Sequence, residues 1–320
     1  MQSQNVLPLK TWSHGKVILA GEHAVVYGEP AIVSSISLGI EVELQRSKVK
    51  RAEHPFLATI RSTFEKQYSI IIPNLHIQIR STLPEQSGLG SSAALAHAIF
   101  QAYGKLYSIN ITDKEMGDLL MQSEQFMHGR PSGIDAAAVT HTGLFVFKKT
   151  VDGPVIQRLP STYTKHIPLC FLVYSGKPKE TTGEMVQIVK ELLIKQPTRS
   201  HIIHKIGTLV KEITKELSIG RFPYSHFREN QRLLEELGVV GTKAKKMVRE
   251  IESVGGFAKI TGAGGISEGS GMMVCFHNDI EKFEHALKKR LWSYTKLRVG
   301  NIEKEAQSKH DIVSIKQEES

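Results

Sequence analysis

Residues suited to phosphate and proton chemistry occupy several separated stretches of this sequence. The first, Pro84-Glu85-Gln86-Ser87-Gly88-Leu89-Gly90-Ser91-Ser92-Ala93-Ala94, starts as a turn and runs into good helix formers. Gly88 and Gly90 omit side chains where a chain must bend or where a ligand must meet bare backbone. Ser91 or Ser92 can cap the helix through a hydroxyl. No Asp or Glu stands in the first helical turn, so the positive end of the helix is open to phosphate oxygens. A plain structural turn fits the same residues, and no Lys follows Gly90 as the Walker pattern requires.

The second stretch is Lys16-Val-Ile-Leu-Ala20 followed by Gly21-Glu22-His23. A strand here would set Lys16 at its start and Glu22 and His23 at its end. Each of these has an ordinary structural reading by itself. Farther on, Glu124 falls on or beside the apolar stripe of a helix marked by Met116, Leu120, Ser123 and Met127. A carboxylate on that face must be paired or must bind a cation. Gly129-Arg-Pro-Ser-Gly-Ile-Asp135 is a turn that holds one carboxylate in place. Ser175-Gly-Lys-Pro-Lys-Glu-Thr181 supplies two cations and a hydroxyl, and 261–271 is a second glycine-rich loop. His201 and His204 form an isolated His-x-x-His, read as helix surface.

Strands that could position these residues are expected at 16–20, 36–45, 57–62, 75–80, 143–147, 169–174, 257–260, 272–276 and near 296–299. Helices are expected at 92–106, from the capping box Thr112-Asp-Lys-Glu115 onward, and at about 183–195, 200–217, 225–236, 242–253 and 279–291. The polar stretch 150–166, with Pro154 and Pro160, reads as a crossing between lobes. Residues 301–320 read as a polar tail. No internal repeat is present.

The chain has 320 residues, 40% hydrophobic and 23% charged, enough for one large or two medium domains. Cys170 and Cys275 form neither a disulfide framework nor a metal motif, which points to a reducing compartment. No apolar run is long enough to span a membrane, and no secretory signal precedes residue 12. The net charge is +9 and the isoelectric point about 9.4. The basic residues are spread out, and the patches 243–246 and 288–290 read as solvated helix faces. General solubility and attraction of a polyanionic small molecule both suit such a charge, and nucleic-acid binding usually clusters its Lys and Arg on one element, often with aromatics.

Three stretches in this order, Lys16 to Gly28, Pro84 to Ala94 and Lys259-Ile-Thr-Gly-Ala-Gly-Gly265, resemble the GHMP small-molecule kinase family over nearly the whole chain to about residue 302. Gly21-Glu-His-Ala-Val-Val-Tyr-Gly28 and His128-Gly-Arg-Pro-Ser-Gly-Ile-Asp135 are similar to its mevalonate kinase branch. Galactokinases carry Thr-Asp-Tyr after the His. The resemblance implies an α+β, two-lobed GHMP kinase fold with a ribosomal protein S5 domain 2-like N-terminal lobe (1–160), a ferredoxin-like C-terminal lobe (161–302) and a tail (303–320). It implies ATP-dependent phosphorylation of the mevalonate 5-hydroxyl, with ATP and Mg²⁺ as cofactors. The alternatives are a GHMP kinase for a sugar or another hydroxy acid, or a non-catalytic regulator of the same fold. Residues 84–94 become the ATP phosphate loop, Asp135 and Lys16 the catalytic pair, and Ser92 and Glu124 the metal ligands. Glu22 and His23 fall on the substrate side, and Thr181 near the reacting hydroxyl. A cytoplasmic enzyme with small-molecule partners follows, without nucleic acid or membrane, and a homodimer stays open. Two departures stand out. Ile-Ser-Glu-Gly-Ser intervenes after Gly265, and Tyr174 stands where this branch often has Asp.

Overall fold

Leu9–Ala20 forms β1, and a short 3-10 turn at Ala24–Tyr27 reverses the chain into β2 (Ala31–Arg46). The two strands pair antiparallel from Leu9 opposite Leu44 to Ala20 opposite Ile32. These details come from a computed structural model that describes residues 7–47, 53–84, 87–128 and 132–300. There follow α1 (Pro55–Tyr68), β3 (Leu75–Ser81), α2 (Ser91–Tyr107), α3 (Asp113–His128), α4 (Ile134–Thr140), β4 (Leu144–Thr150) and β5 (Gly153–Arg158). β2 is long enough to serve two partners besides β1. β4 pairs with its residues 31–34 and β3 with 40–46, all antiparallel. β5 extends this five-stranded sheet beyond β4.

Two expectations fail in this lobe. Residues 57–62 belong to a helix, not a strand. The local alternation is misleading, because Phe56, Ile60 and Phe64 recur at the four-residue helical spacing and all three are buried. Pro55 at the first helical position and the His54 ring, which accepts the Phe56 amide at 3.2 Å, start the helix. Residues 153–158 are likewise a strand, where a crossing was expected. β5 is an edge strand with a largely exposed pattern, and an edge tolerates Pro154.

The second sheet follows α5 (Ser161–Thr164). It contains β6 (Cys170–Tyr174), then α6 (Thr182–Lys195), a 3-10 turn at Pro197–Arg199, α7 (Ser200–Ser218), α8 (Tyr224–Glu236) and α9 (Thr242–Ser253). β7 (Phe257–Ile260), β8 (Met272–Phe276), α10 (Ile280–Lys289) and β9 (Tyr294–Leu297) complete it. The strand order is β7-β8-β6-β9, with every neighbour antiparallel. The four helices α6 to α9 lie within a residue or two of their expected limits, whereas the last strand begins two residues early. α8 and α9 cover β7, while α7 reaches back to β1 and β2. One apolar cluster crosses between the sheets, joining Val17 and Ile36 to Leu172, Val274 and Phe276. His201 and His204 sit on the exposed side of α7, and His204 Nδ1 lies 2.8 Å from the Glu29 carboxylate. No described helix is long and apolar enough to cross a membrane.

Phe64 anchors α1 by packing on Tyr68, Phe100 and Tyr103, with centroids 4.7, 6.2 and 5.4 Å away. It is fully buried. Phe64→Ala should lower unfolding free energy by about 3–5 kcal/mol, seen as a shifted urea midpoint with the slope unchanged.

Candidate active site

Four segments converge at one seam between the sheets: β1, the glycine turn before α2, the start of α4 and the loop after β7. Lys16, in the middle of β1, is the centre. Its amide donates to the Leu89 carbonyl at 2.9 Å, and its Nζ donates to the Gly88 carbonyl at 2.8 Å. The same Nζ lies 3.0 Å from Asp135 Oδ1. That contact has the distance of an ion pair without the direction of a hydrogen bond. The Lys16 side chain is nearly buried, while that of Asp135 keeps about a quarter of its exposure, 26%. β1 begins at Leu9, seven residues before the expected start at Lys16, so this cation is a mid-strand residue, and it forms one unit with a turn carboxylate far away in sequence.

Asp135 stands in the first turn of α4, whose N-cap is Gly133 in the left-handed region. Gly90 fits closely between the pair: a Cβ there would lie 3.2 Å from Lys16 Cγ and 3.6 Å from Asp135 Oδ1. Gly90 itself is the N-cap of α2, with φ 75° and no side-chain cap. The expected cap by Ser91 or Ser92 is therefore not made. The left-handed turn already starts the helix, and among the described residues the first-turn amides have no side-chain acceptor. Ser87 Oγ instead donates to the Pro84 carbonyl at 2.6 Å, closing the turn below. Ala93 and Ala94 carry their side chains into the core. Glu85 and Gln86 lie outside the described residues.

Glu124 is 2% exposed on α3, and its Oε1 is buried without a hydrogen-bond partner. Burial pushes its carboxyl well above the usual carboxylate range. The Asp135 charge adds to this, and Lys16 opposes it. Among the described residues, an orphaned Glu124 oxygen beside a second carboxylate and one ammonium marks a site short of positive charge. It fits a divalent cation that takes oxygen ligands and keeps several waters. No cluster of three or more His, Cys, Asp or Glu able to hold a metal exists among the described residues. The protein side of such a site therefore rests on few ligands.

The other expected residues are placed as follows. His23 is 5% exposed with φ 60°. Its Nε2 donates to the Ala263 carbonyl at 2.9 Å, and burial pushes the ring below the usual histidine range. A neutral imidazole with its proton on Nε2 follows. Glu22, expected on the substrate side, is fully enclosed. Its carboxylate has no exposed surface and is ion-paired to Lys259, with Asn230 donating to Oε2 at 3.2 Å. Thr181 caps α6 in a full capping box with Glu184, and none of its hydrogen bonds reaches Lys16 or Asp135.

Several contributors were not singled out from the sequence. Thr261 accepts the Ile18 amide at 2.8 Å through Oγ1, and its carbonyl lies where a Cβ on Gly88 would come within 2.5 Å. Lys259 was readable as a signal, since a lysine inside the short apolar strand Phe257–Ile260 is costly unless paired. The extra residues after Gly265 also have a definite role. The Ile266 amide and the Ser267 hydroxyl donate to Glu180, at 3.3 and 3.0 Å. Ser270 donates its amide to Ser175 Oγ at 2.9 Å. The insertion therefore staples the second glycine loop to the 175–181 loop. Its acid, Glu268, turns outward toward Lys179.

Comparison with known proteins gives the family and the fold. Residues 54–143 match the GHMP kinases N terminal domain. The mevalonate kinase of Archaeoglobus fulgidus is 32% identical over 266 residues, covering 78% of this chain and 87% of its own. The crystal structure of the Methanococcus jannaschii mevalonate kinase superposes with a TM-score of 0.76 at 22% identity, over 92% of this chain and 99% of that one. The L. major mevalonate kinase in complex with R-mevalonate gives 0.77 at 22% identity, over 93% and 98%. At these identities the two structures establish the shared fold.

The raised carboxyl of Glu124 has a consequence for stability. The folded protein holds this proton over a pH range where the unfolded chain has released it. Native stability therefore falls as pH rises from the ordinary glutamate range toward the raised folded value. Glu124→Gln removes that cost. The ligand-free variant should melt higher than the parent at pH 8 and about equally at pH 4, as thermal melts at both pH values will show.

Proposed function

The chain belongs to the mevalonate kinase family, and on that footing we propose that it transfers the γ-phosphoryl group of ATP to the 5-hydroxyl of mevalonate, a step of isoprenoid precursor synthesis. The observation that carries the residue assignment is the double engagement of Lys16. One ammonium holds both the Gly88 carbonyl of the phosphate turn and the Asp135 carboxylate.

Phosphoryl transfer asks the protein for positioning and charge neutralisation rather than covalent chemistry. In this reading the turn 87–90 and the uncapped first turn of α2 cradle the ATP phosphates. Asp135 orients the 5-hydroxyl and accepts its proton as that oxygen attacks the γ-phosphorus, with ADP leaving. Lys16 offsets the charge on the transferring group. His23 presents a neutral ring beside the second glycine loop, on the mevalonate side. Glu124 and Ser92 would hold Mg²⁺, which supplies neutralisation of phosphate oxygens when bound. Buried free thiols at Cys170 and Cys275 suit a reducing compartment such as the cytoplasm.

The direct test is a turnover assay with ATP and each of mevalonate, galactose and homoserine. Mevalonate should be phosphorylated well ahead of the others, and EDTA should abolish the reaction. Turnover of galactose with none of mevalonate would overturn the substrate assignment. For the catalytic pair, Asp135→Asn should lose about 10²-fold or more in kcat, and Lys16→Met a similar order. Because both act on one transition state, the double variant should be far less impaired than the product of the singles. ATP affinity should survive in Asp135→Asn. Fully multiplicative losses would show that the two residues act independently.

A further inference from the structure

Glu22 and His23 are neighbours in sequence but serve different sides of the seam. Lys259 has three N–H donors, and all three are used. They go to the Ile18 carbonyl at 3.2 Å, the Ile260 carbonyl at 2.7 Å and Glu22 Oε1. Both side chains have 0% exposure. Asn230, reaching in from α8, occupies the other Glu22 oxygen. As placed, each oxygen of this carboxylate has a protein partner and neither is open to solvent.

A fully buried ion pair contributes little net stability, yet removal of one partner alone is strongly destabilising. What this pair holds together is specific. Ile18 lies two residues beyond Lys16 on β1, and its amide is tied to Thr261. The Thr261 carbonyl bears on Gly88, whose own carbonyl holds Lys16 Nζ. Two residues past Thr261, the Ala263 carbonyl holds the His23 ring. The pair therefore sits inside a closed circuit running from β1 through the second glycine loop to the phosphate turn and back.

We propose that Glu22 is a positioning residue: with Lys259 it forms a strut between the lobes that sets where Lys16 and His23 stand relative to the phosphate turn, and it does not itself contact substrate. This rests on the kinase reading above. The strut and a substrate ligand differ in kinetics. Loss of a ligand raises KM for mevalonate. Loss of a strut misplaces groups already bound to their partners, where an error near 1 Å costs about 10²-fold in rate.

The test uses the full chain with Glu22→Gln, Lys259→Met, the double variant, and Asn230→Ser as a milder change that strands no charge. For each, kcat and KM for mevalonate are measured beside the melting temperature. Amide exchange is followed at Lys16 and Met272, which donate to the Leu89 and Ser87 carbonyls. Expected are kcat losses of about 10–100-fold for the charged singles, with mevalonate KM shifted only slightly. The double variant should be better than Lys259→Met alone, because no lone charge stays buried. Asn230→Ser should show a small fall in kcat and no change in KM. Exchange at Lys16 and Met272 should quicken in Glu22→Gln while β2–β4 amides hold. A raised mevalonate KM with kcat kept would overturn the strut in favour of a ligand. Wild-type kcat in the folded fraction, or unchanged exchange at Lys16 and Met272, would overturn it as well. The exchange arm needs no substrate, so it judges the strut even if the parent fails to turn over mevalonate, a result that would count against the kinase reading alone.

Discussion

The two lobes meet backbone to backbone, and the site depends on that closeness. Gly88 approaches the Thr261 carbonyl and Gly262 so tightly that any side chain at 88 would collide. Met272 then donates its amide to the Ser87 carbonyl at 3.1 Å, continuing the contact as a hydrogen-bonded seam. With no side chains between them, the phosphate turn takes its position from the second sheet as much as from its own. Lys16 reads that position through the Gly88 and Leu89 carbonyls, and Asp135 follows Lys16. A change at Gly262 or Thr261 therefore reaches the phosphate turn without touching any residue that does chemistry.

Two groups of ionisable side chains lie along this seam, and their balance differs. Lys259 and Glu22 are matched one to one, with every ammonium proton used. Among the described residues Lys16 stands against two carboxyl groups, Asp135 and Glu124, and burial favours the protonated form of Glu124, one oxygen of which has no partner. Matched buried charges read as architecture. Unmatched ones read as a place where stability has been given up for binding, the usual tension at functional sites.

Legibility in the sequence followed the length of the signal. The helices of the second lobe were readable because their apolar periodicity runs over three or more turns, as in α7 with Ile202, Ile206, Val210 and Ile213 all buried. The site was readable where several motifs in order supported one another, since Lys16 and Asp135 have bland readings alone. Short windows failed. Six residues at 57–62 could not display the four-residue spacing of α1, and an exposed edge strand such as β5 has no buried face to announce it. The pairing of Glu22 with Lys259 was not legible for a further reason. Whether a carboxylate faces a ligand or a lysine depends on a residue 237 positions away, and no local pattern carries that information.

β2 also has a consequence for the order of events during synthesis. Residues 32–34 are paired on one side with β1, which is made earlier, and on the other with β4. Leu144 lies 110 residues beyond its partner Ser34, taken as 144 minus 34. At about 5–20 residues per second, the ribosome needs about 6–22 s to supply that partner. Through that interval a strand beginning Ala-Ile-Val would present an open edge, the kind of surface that recruits other chains. The central strand of the finished lobe thus has an open edge while the chain is being made, a place for a chaperone to act.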